Sequence, residues 1–396
     1  MTLSSTSALK TRDEHPVLTA ARQFAPRIAT RSEEIESARQ LPADLARELA
    51  GAGLFRMVVP EAYGGFELHP ALVIEAVETL ARADGSTGWC VMIGALTSMC
   101  SAWLPEPSAR TIFGNPEVIT GGVAAPIGRA ELVEGGYRLT GRWPWASGSQ
   151  NCHWLTGGAL VTKGGSPVLR EGGMPEVRQL FFPREGATLH DTWHAAGLCG
   201  TGSGDIEVKD LFVPTEMSTS LVTERPRVDR PLYAFPAFGL LGVGIPAVAL
   251  GIARRAIDEL TALAPQKKIM PLGRHSVASR PAVQEAVAEA EATLRSARAF
   301  LMETVHTTFE AATRREVSLR HKAELRLAYT HAARSSARVV DRMYEVAGGA
   351  SVYRASPLQR CLRDVHVATQ HAMVAQPTLE TIGSVLLGVD ANTTML

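Results

Sequence analysis

From Pro231 to Ala253 the chain runs 23 residues without a charged side chain. A stretch of that length is either a membrane span or a helix at the centre of a soluble core. Pro231, Pro236 and Pro246, with Gly239, Gly242, Gly244 and Gly251, interrupt it. Pro removes a backbone donor and Gly weakens a helix interior, so burial in a core is the preferred reading and no membrane partner is expected. The composition agrees. Across 396 residues, 40 Lys+Arg balance 40 Asp+Glu, which leaves no basic field for nucleic acid or an anionic bilayer. A small diffusible molecule is the expected partner.

The pattern changes twice along the chain. Residues 15 to 113 read as helices, with Leu45, Leu49 and Ala52 on one stripe and Val73, Ala76, Leu80 and Ala81 on another. Between them Val59-Pro60-Glu61-Ala62-Tyr63-Gly64-Gly65 reads as a turn. From about 118 to 218, paired glycines punctuate short alternating runs such as Tyr137-Arg138-Leu139-Thr140 and Gln179-Leu180-Phe181-Phe182, the signal of strands and turns. The helical period then returns through Val283, Val287, Ala290, Leu294, Ala297 and Leu301, with further helices expected at about 317 to 346 and 357 to 388. The expected fold is α+β and multi-domain. Residues 1–118 form an N-terminal helical domain, 119–222 a central β-barrel or sandwich, and 223–396 a C-terminal four-helix bundle.

Several motifs carry little. Gly242-Val243-Gly244-Ile245-Pro246-Ala247 matches a dinucleotide fingerprint but lacks the preceding strand that motif requires, so close helix packing is expected there. His190 and His194 stand four apart in a strand-rich region, where that spacing does not converge on a metal. No metal site is expected. Cys90, Cys100, Cys152, Cys199 and Cys361 are odd in number and unpaired in spacing. With charged residues and no apolar signal core in the first 30 positions, a reduced cytoplasmic setting is expected.

Three segments carry more together than apart. Gly135 to Gly148 is a hairpin ending in Trp145-Ala146-Ser147-Gly148. Gly197-Leu198-Cys199-Gly200-Thr201-Gly202-Ser203-Gly204 is a glycine-rich turn before a strand. Arg363-Asp364 is followed seven residues later by His371. In this order, with the turn at Val59 to Gly65, they resemble the acyl-CoA dehydrogenase fold over nearly the whole chain. Trp145 to Gly148 is similar to the W-I-T-N whose Thr sits beside the flavin. Dehydrogenases of that fold remove an α-proton with a Glu, but the eighth residue after Asp364 is Ala372, and no Asp or Glu stands between Asp229 and Asp258. The G-L-x-G-T-G-S turn and His371 instead resemble the flavin-dependent monooxygenases of this fold, the oxygenase components of two-component systems.

That resemblance implies reduced FMN or FAD, bound non-covalently and delivered by a separate NAD(P)H-dependent reductase. It further implies O2 as cosubstrate, a peroxide at the flavin C4a carbon, a small aromatic or heteroaromatic substrate and a homotetramer. An acyl-CoA dehydrogenase with a displaced base and a catalytically inactive flavin-binding relative remain the alternatives. Ser147 is expected to offer its hydroxyl to flavin N5, and His371, titrating near neutrality, to act as acid or base. Trp145, Trp193, Thr201 and Ser203 are expected along the flavin, though a Trp in a β-domain such as Trp193 is more often core. Arg274 is expected at the flavin phosphate, and Gly349 and Ser351 where a neighbouring subunit reaches the cofactor. A solvated Arg and a helix-ending Gly pair are the bland alternatives. Trp89 and Ser98 are candidates for the substrate pocket, Ser98 standing where some members carry a His.

Overall fold

The computed structural model describes residues 15–268, 275–394 and 396. The chain opens with helices α1 (Pro16–Thr30), α2 (Ser32–Ala38), α3 (Ala43–Gly51), α4 (Pro70–Ala83), α5 (Gly85–Thr97) and α6 (Glu106–Phe113). Their starts follow local chemistry. Pro16 and Pro70 occupy first-turn positions where no N–H is needed, and the ring nitrogens of His15 and His69 accept the orphan amides of Val17 and Ala71. Asp84 caps α5, its carboxylate accepting from both the backbone N–H and the hydroxyl of Thr87 at 2.7 and 2.8 Å.

Strands follow: β1 (Thr120–Val133), β2 (Gly136–Trp143), β3 (Trp154–Lys163), β4 (Ser166–Pro167), β5 (Val177–Pro183), β6 (Thr188–His190), β7 (Asp205–Pro214) and β8 (Ser218–Thr219). They form one mixed sheet in the order β6-β7-β2-β1-β3-β5-β8, with β4 on β3. All its pairings are antiparallel except β1 with β3. The final segment holds α7 (Pro231–Ala234), α8 (Ala237–Gly242), α9 (Gly244–Leu263), α10 (Pro281–Thr313), α11 (Leu319–Ala347), α12 (Pro357–Ala368) and α13 (Thr378–Leu387). The cuts expected near 118 and 222 fall between α6 and β1 and between β8 and α7, and we propose them as domain boundaries.

The uncharged stretch becomes α7, α8 and the first half of α9, and it is largely buried within the protein. Helix α9 packs on α4, α11 and α12, so its apolar residues face other helices on most sides. Close approach explains a glycine here, since a Cβ on Gly244 would lie 2.0 Å from Met92 Cγ.

One expected element is corrected. The helix read over 357 to 388 is two, broken between Ala368 and Thr378. Short-range bonds close this gap into turns, Gln370 N to Val367 O, His371 N to Ala368 O and Val374 N to His371 O, and Pro377 stands at the entry to α13. His371 therefore lies in the turn after α12, not two helical turns along its face.

Candidate active site

At the end of β2 the chain reverses at Trp145, which adopts φ 64° and stays 69% exposed. The next residues zip onto the glycine-rich turn: Ala146 N–H donates to Gly204 O at 3.0 Å and Gly148 N–H to Thr201 O at 2.8 Å. This pairing brings three hydroxyls together. Ser147 Oγ lies 2.7 Å from Ser203 Oγ, and Ser203 Oγ lies 2.6 Å from Thr201 Oγ1. Thr201 Oγ1 donates to Leu198 O at 2.8 Å. From α5, the indole N–H of Trp89 donates to Ser147 Oγ at 3.0 Å. All four side chains are buried.

Trp89 also meets His371, ring centroids 5.9 Å apart at 61°. His371 Nδ1 accepts the backbone N–H of Met373 at 3.2 Å, so in the neutral ring the proton sits on Nε2. Burial pushes its pKa down to about 4, and the Arg326 charge adds to the effect. Arg326 is itself buried on α11 and donates to Met373 O at 3.2 Å. The expectation of titration near neutrality is corrected: at pH 7 this ring is a neutral donor through Nε2–H.

Helix α12 holds the glycine-rich turn in place. Asp364 Oδ1 accepts the backbone N–H of Leu198 at 2.6 Å, where Leu198 sits at φ 48°. Arg363 donates to Ala196 O at 2.6 Å, and Arg363 and Arg360 both bind Glu36 of α2. Gly197 lies against the helix backbone, and a Cβ there would come within 2.3 Å of Arg363 C and O. Gly197→Ala is therefore expected to lower stability by ~2 kcal/mol or more, because a backbone clash has no side chain to relieve it. An unchanged urea midpoint would exclude this contact as a determinant of the turn.

The structure thus brings Ser147, Trp89, Thr201, Ser203 and His371 to one place. Trp193 is half-buried, and its indole N–H donates to Leu198 O at 3.0 Å, bracing the turn. Ser98 is buried in the helical turn after α5, and its hydroxyl donates to Ala95 O at 2.5 Å. Gly349 is exposed after α11, and the hydrogen bonds of Ser351 run to Gly348 in its own turn and to Tyr344 O at the end of α11. Arg274 lies outside the described residues. Sequence reasoning missed the roles of Asp364, Leu198 and Arg326. Arg326 carried a readable signal, since it lies three residues after Ala323 and three before Tyr329, on the inward stripe of α11.

Two family models match, described as the acyl-CoA dehydrogenase N-terminal domain over residues 11–105 and the acyl-CoA dehydrogenase C-terminal domain over residues 243–376. The chain belongs to this family. It is 36% identical to an indole-3-acetate monooxygenase of Pseudomonas putida, over 90% of this chain and 89% of that protein. It is 29% identical to a flavin-dependent monooxygenase, oxygenase subunit HsaA, of Rhodococcus jostii, over 88% of this chain and 91% of the relative. The structure of XiaF from a Streptomyces species, in complex with FADH2 and glycerol, superimposes with a TM-score of 0.88 at 25% identity, covering 97% of this chain and 98% of that one. Within the family the chain is a flavin-dependent monooxygenase that uses reduced flavin and O2.

Proposed function

We propose that the chain is the oxygenase component of a two-component system and adds one oxygen atom to a small aromatic or heteroaromatic ring, with Ser147 and His371 as the residues that touch cofactor or substrate. The observation that carries this reading is the neutral character of the cluster. Its polar atoms are three hydroxyls, an indole N–H and an imidazole held neutral. An acyl-CoA dehydrogenase needs a carboxylate free to take a proton. Asp364 is buried and already accepts from Leu198, while Ala372 and the stretch between Asp229 and Asp258 offer none.

The residues fit a flavin. Trp145 holds a large ring exposed on a strained backbone beside the buried Ser147, and a stacked aromatic ring would cover it. Bound there, reduced flavin supplies the activation of O2. Ser147 offers a polar atom to its edge, Trp145 and Trp193 its flanks, and Thr201 and Ser203 fix the hydroxyl of Ser147. The neutral Nε2–H of His371 donates to a polar atom of substrate or oxygen. The buried indole of Trp89 closes the space behind Ser147 to water. The name of the Rhodococcus relative, an oxygenase subunit, supports a separate reductase as partner. The exposed Val352, Tyr353, Leu386, Leu387 and Val389 near the end of the chain support burial between copies, as in a homotetramer. A cytoplasmic location fits the reductase requirement.

The test supplies chemically reduced flavin, O2 and a panel of ring compounds that includes indole-3-acetate, and measures product mass and hydrogen peroxide. A product one oxygen heavier supports the reading. Oxidation of an acyl-CoA without oxygen incorporation would overturn it.

A further inference from the structure

The hydroxyls behind Ser147 have a direction that follows from counting protons. At one end stands the indole N–H of Trp89, which can only donate. At the other stands Leu198 O, which can only accept. Between them lie Ser147, Ser203 and Thr201, each with a single hydroxyl proton, joined by links of 3.0, 2.7, 2.6 and 2.8 Å. Four links share four protons, one from the indole and three from the hydroxyls. Thr201 must give its proton to Leu198 O, because two oxygens 2.8 Å apart with no proton between them repel. Ser203 must then donate to Thr201, and Ser147 to Ser203. Ser147 Oγ accepts from Trp89, donates to Ser203, and keeps one lone pair and no proton for anything else.

This inference rests on the flavin reading above. We propose that Thr201 and Ser203 are positioning residues that turn Ser147 into an acceptor, so that the site selects reduced flavin over oxidised flavin at N5. The dihydro form carries an N5–H that Ser147 can accept. The oxidised form presents a lone pair at N5, which would face the lone pair of Ser147. The earlier expectation that Ser147 offers its proton to N5 is reversed by this count. Reversing the chain would leave Thr201 Oγ1 and Leu198 O 2.8 Å apart with no proton between them, so the direction is held from the far end.

Two variants release it. In Ser203→Ala the Ser147 proton loses its acceptor and is free to turn toward a ligand. In Thr201→Val the Ser203 proton loses its acceptor and turns to Ser147, with the same result. Leu198 O keeps Thr201 N–H at 3.1 Å and Trp193 Nε1–H at 3.0 Å, so the turn keeps its main bonds. Thr201→Ser retains the hydroxyl and serves as the rescue. The experiment measures the dissociation constants of reduced and oxidised FMN and FAD under argon, with the two-electron potential of the bound flavin as a second readout.

The wild-type protein is expected to bind the reduced form more tightly. Ser203→Ala and Thr201→Val should narrow the ratio of the two constants by roughly tenfold, and Thr201→Ser should restore it. A tenfold narrowing lowers the bound potential by about 30 mV. A wild-type preference left unchanged by both variants would overturn the inference and leave the flavin reading standing. Equal or tighter wild-type binding of oxidised flavin would do the same. Binding of neither flavin form by the wild-type protein would remove both.

Discussion

Replacing His371 by alanine is expected to cut product formed per flavin oxidised by tenfold or more and to divert the oxygen to hydrogen peroxide, the largest effect of any single change proposed. The ring has one polar atom to give, Nε2–H, because Nδ1 already holds the Met373 amide. Loss of one preorganised donor near developing charge typically slows a step by ~10²–10³-fold, and a slowed transfer loses to peroxide release. His371→Gln separates the roles, since a glutamine amide donates without titrating and should recover much of the coupling, whereas a base would be lost in both variants. The wild-type coupling ratio should show no inflection near pH 6.5, because burial holds the ring neutral down to about pH 4. Stability carries the same signature. The folded ring titrates near 4 and the unfolded ring near ~6.5, so its contribution is full above 6.5 and is lost as pH falls toward 4. The wild-type melting temperature should therefore drop across that window more steeply than that of His371→Gln. Full coupling in His371→Ala would remove the residue from the site.

The element order was legible because hydrophobic period and glycine density change where the chain passes from helix to strand and back. Local signals of that kind are strong in Val283 through Leu301 and in the paired glycines between 118 and 218. The break after α12 had one legible mark, Pro377, which stops a helix read through it, but its start at residue 369 had none. Residues 369 to 376 contain neither Gly nor Pro, and spacing alone carries Asp364 onto the face of His371. The motifs named Ser147, Thr201, Ser203 and His371, but the bonds that define their chemistry cross the chain. Trp89 reaches Ser147 over 58 residues and Asp364 reaches Leu198 over 166. No periodicity encodes such a pairing. Protonation was the least legible property, because the pKa of His371 depends first on burial by the folded chain and then on the charge of Arg326 on α11.

Asp364→Ala is expected to lower stability by ~2–3 kcal/mol and to weaken flavin binding at the same time. The change leaves the Leu198 N–H buried without its acceptor, which costs roughly 1–3 kcal/mol, and frees a residue held in the left-handed region at φ 48°. Since Leu198 O anchors the hydroxyls, a slack turn moves Thr201 and Ser203 as well. Asp364→Asn keeps the oxygen and removes the charge, so it should retain flavin affinity. Burial pushes the Asp364 carboxyl up to about 7, with the charge of Asp84 adding to the effect and the Leu198 amide opposing it. The folded state therefore holds a proton between ~3.8 and 7 that the unfolded chain releases. Its contribution is present below 3.8 and is lost as pH rises to about 7. Melting curves from pH 4 to 8.5 should show Asp364→Asn gaining on the wild type up to pH 7 and running parallel above it. A constant difference across that range would mean that the buried carboxyl stays ionised, and that the Leu198 amide outweighs the desolvation that surrounds it.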